Sequence, residues 1–333
     1  MLNEDITEEE VTRFRLLLDH LRQFARDGVD SDVVEKYLLE MLEHSIPFFS
    51  HLVLENHFQE ITRLSINRRV IGSNSRIHNI KFLGPPPAEK VKSYGRCNMP
   101  GMPVFYGCFN PLTAVGELKP QIGDLITVSK WKSKGSQPIK YVPIFKRQPQ
   151  NNFRMDKRIP DIQDLIREKN RANFNQNSFN HNQLYENLLM LKPKNFREQV
   201  DVLVEFVADA FSKMVDPNNP RDYLISAFFS NVILNKFEGG SIDAIYYPSV
   251  QQNLTLENIA IKPSALQKKY ELVEVSDMVV TDKPQRPNPG IFMEGLGDST
   301  SFDYVSGKIF WPDRFPDDER ILALNRAFGV TLD

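Results

Sequence analysis

The sequence predicts an α+β fold, and three observations predict it. Residues 1–57 carry helical periodicity, residues 60–146 break into segments of strand length, and later helices and strands alternate without regular βαβ order. At the start, Thr7 with Glu10 three residues on forms a capping box. Val11, Phe14, Leu17, Leu18, Leu21 and Phe24 then recur at helical spacing until Gly28. A second helix is expected after Ser31 and before Pro47, with Val34, Tyr37, Leu38 and Met41 on one face. Amphipathic helices of this kind cover a core, so the pair reads as a packing or homodimerisation layer.

Strands are expected at Ile61 to Ile66, Asn79 to Leu83, Val104 to Tyr106, Leu125 to Trp131 and Ile139 to Ile144, each bounded by turn residues. Composition then shifts: Asn151 to Asn187 is rich in Asn, Gln, Arg and Lys and reads as a polar excursion with one helix around Ile162 to Lys169. Helices follow over about Phe196 to Met214, with Asn195 as cap, and from near Asp222 through Leu234. Gly239-Gly240 ends the latter and leads into a strand at Ile242 to Tyr247. Further strands are expected at Ile259 to Ile261 and Tyr270 to Val280, and a last helix from Asp317 to Phe328. The expected organisation is a helical extension over 1–57, a domain over 58–282 with a polar insertion around 150–190, and an extension over 283–333 packed on it.

Composition narrows the function classes. A charged fraction of 25% and a net charge of -2 describe an ordinary globular chain without a nucleic-acid footprint, and Arg68-Arg69 is too short a basic run to make one. No apolar window reaches the roughly 18 residues of a membrane helix, and the acidic start MLNEDITEEE lacks the regions of a signal peptide. A cytoplasmic protein is the expectation, with Cys97 and Cys108 reduced and Cys108 a small core residue. The histidines show no helix-spaced pair with an intervening Glu, so no metal site is expected.

The most informative stretch is GRCNMPGMPVFYGCFNPLTAVGE, Gly95 to Glu117. Pro100-Gly101 is a turn dipeptide, Pro103 to Cys108 a short apolar strand, and Asn110-Pro111 the start of a helix that delivers Glu117. An arginine, a tyrosine and a lone carboxylate in one loop-strand-helix unit suit a charged sugar-nucleotide. Tyr106 either stacks on a flat ring or fills the core.

This stretch resembles the RES domain, a bacterial family named for an Arg, a Glu and a Ser. The resemblance rests on Gly95-Arg96-Cys97-Asn98, on Gly101-Met102-Pro103-Val104-Phe105-Tyr106 and on Glu117, in family order. Upstream, Glu60-Ile61-Thr62-Arg63-Leu64 stands where the family places its arginine; downstream, Ile242 to Ser249 resembles the segment ending in its serine. The resemblance implies a fold like the ADP-ribosyltransferases, a mixed β core with flanking helices. It also implies an enzyme that consumes NAD at the nicotinamide–ribose bond, as the toxin of a toxin–antitoxin pair whose antitoxin protein covers the pocket.

In that reading Glu117 stabilises an oxocarbenium-like ribose, Arg63 forks the pyrophosphate, Arg96 is a second phosphate candidate, and Ser249 lines the nicotinamide side. NAD is the substrate and no further cofactor is implied. Water, phosphate or a protein side chain remains open as acceptor, and a non-catalytic nucleotide-binding module is the alternative. The plainer alternatives are a solvated edge-strand charge for Arg63, a salt-bridged turn residue for Arg96 and a turn former for Ser249. Two departures bear on turnover and acceptor: many RES proteins carry tyrosine directly after the arginine, where Leu64 stands here, and the N-terminal helices and the polar Asn151 to Asn187 segment exceed a compact RES domain.

Overall fold

The computed structural model describes residues 6–27, 52–135, 137–145, 192–216, 219–249, 257–283 and 291–312, with isolated positions elsewhere. The first half runs α1 (Glu8–Asp27), β1 (Leu54–Asn56), β2 (Glu60–Ile66), α2 (Asn67–Ile71), β3 (Phe105–Cys108), α3 (Pro111–Leu118), β4 (Leu125–Ser133) and β5 (Ile139–Pro143). The second half runs α4 (Lys194–Ser212), α5 (Leu224–Asn235), β6 (Ala244–Pro248), β7 (Glu257–Ile261), α6 (Pro263–Lys269) and β8 (Tyr270–Asp282). It closes with β9 (Phe292–Ser299), β10 (Phe302–Asp303) and β11 (Lys308–Ile309). The protein is α+β, with a mixed strand content and several helices. Its chain divides into two compact units, one of residues 1–56, 88–103 and 140–257, the other of 57–87, 104–139 and 258–333.

In the first unit the capping box forms as expected: Thr7 N donates to Glu10 Oε2 at 2.7 Å, and Glu10 N donates to Thr7 Oγ1 at 3.2 Å. That reciprocal pair starts α1, and Val11, Phe14, Leu18, Leu21 and Phe24 form its buried stripe. α1 packs against α4, so the N-terminal helix shares a unit with later helices. Asn195 does not cap α4; Pro193 holds the cap position, and Asn195 Nδ2 donates to Ile6 O at 2.7 Å. That bond ties the start of α4 to the chain just before α1. α5 is buried nearly all round, and β5 and β6 pair in parallel with Tyr141 opposite Ala244.

The second unit holds strands in the order β7-β3-β2-β4-β8-β9, with antiparallel pairing at each junction. β2 and β4 pair along their full overlap, with Arg63 opposite Ser129 and Ser65 opposite Thr127. Because strand side chains alternate, Leu64 and Ile66 share one face with Ile126, Val128 and Val280. Val115, Ala114 and Leu118 of α3 cover that face. Ile61, Arg63 and Ser65 project from the other, with Thr127, Ser129, Trp131 and Asp277 as their ladder neighbours.

That second face carries a buried polar network. Arg76 Nε reaches Asp277 Oδ2 at 2.8 Å with both side chains almost wholly buried, and the Thr127 hydroxyl donates to Asp277 Oδ1 at 2.7 Å. Trp311 lies against the Arg76 guanidinium, 4.4 Å from its ring centroid, and donates its own Nε1–H to Ile77 O at 3.1 Å. Both carboxylate oxygens of Asp277 are thereby matched, which a buried charge requires.

One expected strand is replaced. Asn79 to Leu83 forms a short 3₁₀ turn over Ile80–Phe82, because the Asn79 side chain accepts from Lys81 N at 3.0 Å and so folds the backbone locally. The helices expected at 31–47, at 162–169 and at 317–328 lie largely or wholly outside the described residues. No helix among the described residues is long and apolar enough to cross a membrane.

A close approach sits at Gly107. A Cβ there would lie 2.4 Å from Ile61 Cγ2 and 3.0 Å from Phe105 Cε1. Gly107→Ala should therefore destabilise the protein by about 1–3 kcal/mol, the usual cost of an overpacked core. Urea denaturation of the full chain checks this, and an unchanged midpoint would show that the contact relaxes freely.

Candidate functional site

Arg63 is the fourth residue of β2, and its position follows from the ladder. β2 and β3 register at Thr62↔Cys108, a pairing reinforced by Cys108 Sγ–H donating to Thr62 O at 3.4 Å. The next residue toward the strand end is Arg63. Its guanidinium lies over the Phe105 ring, 5.3 Å from the centroid. Phe105 in turn meets Trp131 edge-on at 5.3 Å. Trp131 Nε1 donates to Ser129 Oγ at 3.1 Å, and Ser129 Oγ donates to the Arg63 carbonyl at 3.2 Å. Strand, ring and indole thus close a loop around Arg63, and its side chain is held by packing on a rigid sheet.

The electrostatics are unusual for an arginine. Nη1 of Arg63 is buried with no hydrogen-bond partner among the described residues. Burial pushes the guanidinium down to about 10 from its ordinary, higher value, opposed in part by Tyr106, whose phenol favours the charged form. Stacking on an aromatic ring contributes about 0.5–2 kcal/mol. The ring face brings no acceptor to Nη1, so the buried donor keeps its hydrogen-bonding capacity unmet among the described residues. An anionic ligand is the natural complement.

Of the residues singled out in the sequence, Arg63 and Tyr106 come together electrostatically. They do so beside Phe105, which sequence reasoning treated as part of the strand and not of the site. Its signal was present: an aromatic beside Gly107 on a strand paired to the arginine's own strand, where the glycine leaves room for a flat ring. Glu117 falls in the last turn of α3, which packs on β2 through Val115 against Leu64 and Ile66; its side chain lies outside the described residues.

Arg96 and Ser249 belong to the other compact unit. Gly95 to Asn98 is a tight turn, with Gly95 N donating to Asn98 O at 2.9 Å and Asn98 N to Gly95 O at 3.3 Å. The turn aims Arg96 at the end of α4, where Nη1 donates to Phe211 O and both Nη1 and Nη2 reach Lys213 O at 3.2 Å. The guanidinium also lies over the Tyr223 ring at 5.1 Å. These bonds satisfy orphan carbonyls at a helix C-terminus, a structural use of the fork. Ser249 directly follows β6 and is wholly buried. Cys97 and Cys108 are not joined in a disulfide, and both are buried. Among the described residues no group of His, Cys, Asp and Glu is arranged to hold a metal ion.

No protein-family model matches the chain, and no curated protein matches it.

The displaced titration of Arg63 has a direction that stability must follow. Its folded value, about 10, lies below its unfolded value, so the folded state binds the proton less tightly. The penalty is therefore present in full at neutral pH and fades only as pH rises above about 10 toward the ordinary arginine value. Arg63→Met, which keeps the stem over Phe105 and removes the charge, should leave the ligand-free protein as stable as the wild type or more so at pH 7. Thermal unfolding measures it; a clear drop in Tm would mean that an internal partner already compensates the charge.

Proposed function

We propose that the protein consumes NAD by splitting the bond between nicotinamide and ribose, as a glycohydrolase or phosphorylase of RES type. The observation that carries this reading is the half-buried guanidinium of Arg63, stacked on Phe105 with its buried Nη1 unpartnered among the described residues, at the position where the resemblance places a phosphate-binding arginine. A pyrophosphate is a doubly charged group that a planar fork recognises, and Arg63 is held in advance to receive it.

In this mechanism the C–N bond to the pyridinium breaks and its electron pair returns to the ring, so nicotinamide leaves neutral. Positive charge builds on the ribose, and Glu117, on the helix that packs against β2, stabilises that charge and holds the ribose hydroxyls. An acceptor oxygen from water or phosphate then attacks the ribose carbon and gives up its proton. The proposal also includes a protein antitoxin that covers the pocket, because a cell that holds such an enzyme must restrain it, and ADP-ribosyl transfer to a protein side chain is the variant in which the acceptor differs.

A second reading, a nucleotide-binding module without turnover, is favoured by Leu64. Its side chain is buried in the apolar cluster with Val115, so the phenol found next to the arginine in many relatives of this family has no counterpart at that position. Calorimetry showing NAD binding, with no consumption over hours, distinguishes this reading.

Two substitutions test the assignment on proteins shown to be folded. Glu117→Gln keeps shape and loses charge, so turnover should fall about 10²–10³-fold while NAD affinity stays near the wild-type value. Arg63→Ala should instead raise KM, because its contact is present in the ground state. Free nicotinamide, assayed with and without phosphate, is the readout. No release above the Glu117→Gln background would sink the proposal.

A further inference from the structure

The face of β2 that carries Arg63 holds a second orphaned group. Ser65 is 3% exposed, and its Oγ has no hydrogen-bond partner among the described residues. In this unit, Arg63 Nη1 and Ser65 Oγ are the buried side-chain polar atoms so described. They lie two residues apart on one strand, so they project from the same face about 7 Å apart at the backbone.

The neighbouring polar groups on that face are already committed. Thr127, directly opposite Ser65, donates to Asp277, and Asp277 is neutralised by Arg76. Ser129, opposite Arg63, bridges Trp131 and the Arg63 carbonyl. Two buried donors are left, one charged and one a hydroxyl. A bound water would satisfy the serine and bring no negative charge to the arginine. A tetrahedral oxyanion carries negative charge and several acceptor oxygens, each of which takes a donor at about 2.8 Å, so it suits a charged donor and a hydroxyl on one face.

We infer that Ser65 and Arg63 together form a subsite for one phosphoryl group, with the Ser65 hydroxyl and Arg63 Nη1 donating to different oxygens of the same anion. The dinucleotide identity of the ligand rests on the function proposed above; the phosphoryl subsite stands on the two orphaned donors. Ser65 is thus a binding residue that also orients the anion.

Calorimetric titration of the full chain with sodium pyrophosphate at constant ionic strength, with acetate as the carboxylate arm, tests this. Wild type should bind pyrophosphate and not acetate, and Ser65→Ala should bind it about tenfold more weakly, the cost of one bond to a charged acceptor. Ser65→Cys, a near-isostere with a weak donor, should fall between. Ligand-free Ser65→Ala should melt at or above the wild-type temperature, since an unsatisfied buried hydroxyl has been removed. Equal pyrophosphate affinity in Ser65→Ala and wild type, no pyrophosphate binding by the wild type, preference for acetate, or a lower melting temperature for ligand-free Ser65→Ala would each overturn the inference. Serine-dependent pyrophosphate binding without nicotinamide release would sink the NAD reading and leave the subsite. Nicotinamide release with an unchanged KM in Ser65→Ala would do the reverse.

Discussion

A half-buried guanidinium whose Nη1 is closed to water, with no carboxylate against it among the described residues, is the constraint around which this protein's second compact unit is arranged. Burial depresses its pKa, a phenyl ring lies beneath it, and a tryptophan and a serine close the support from the neighbouring strand. Each of these contacts fixes where the charge sits, and none of them neutralises it. In a folded protein such an imbalance is stability given up, and sites that bind anions are where that is useful.

The contrast with Arg76 sharpens the point. Two arginines lie on or beside the same face of the same sheet. Arg76 is paired at 2.8 Å with Asp277, stacked against Trp311 and buried in a network whose members satisfy one another. That arrangement specifies structure: removing one partner would strand a buried charge. Arg63 has the stacking without a counter-ion among the described residues. The same chemistry serves architecture at Arg76 and, in the function proposed, recognition at Arg63; among the described residues the difference is the presence or absence of a carboxylate within reach.

The polar side of the sheet also depends on the apolar one. Leu64 and Ile66 point into the cluster that seats α3, and this alternation turns Arg63 and Ser65 the other way. A slip of one residue in the β2–β4 register would turn the arginine beneath α3 and the leucine onto the polar face. Gly107 contributes by absence, since any larger residue would meet Ile61 and the ring that supports Arg63.

Local features were legible in the sequence by itself because their partners are near in the chain. The capping box of Thr7 and Glu10, the apolar stripe of α1, the strands at 60–66, 125–133 and 270–282, and the start of α3 at Pro111 all rest on spacings of a few residues. Arg63 was legible as a candidate through its resemblance to a family motif, and Glu117 was placed correctly on a helix. Tertiary structure alone decided what each arginine does. Arg96 finds its carbonyls 115 residues away, and Arg76 its carboxylate 201 residues away. Asn195 looked like a cap and instead reaches back 189 residues to Ile6, while Asn79 bends a segment that periodicity alone had read as a strand. The physical reason is common to all: a side chain's local propensity is worth tenths of a kcal/mol, whereas burial, and whether a charge within it is matched, is worth several.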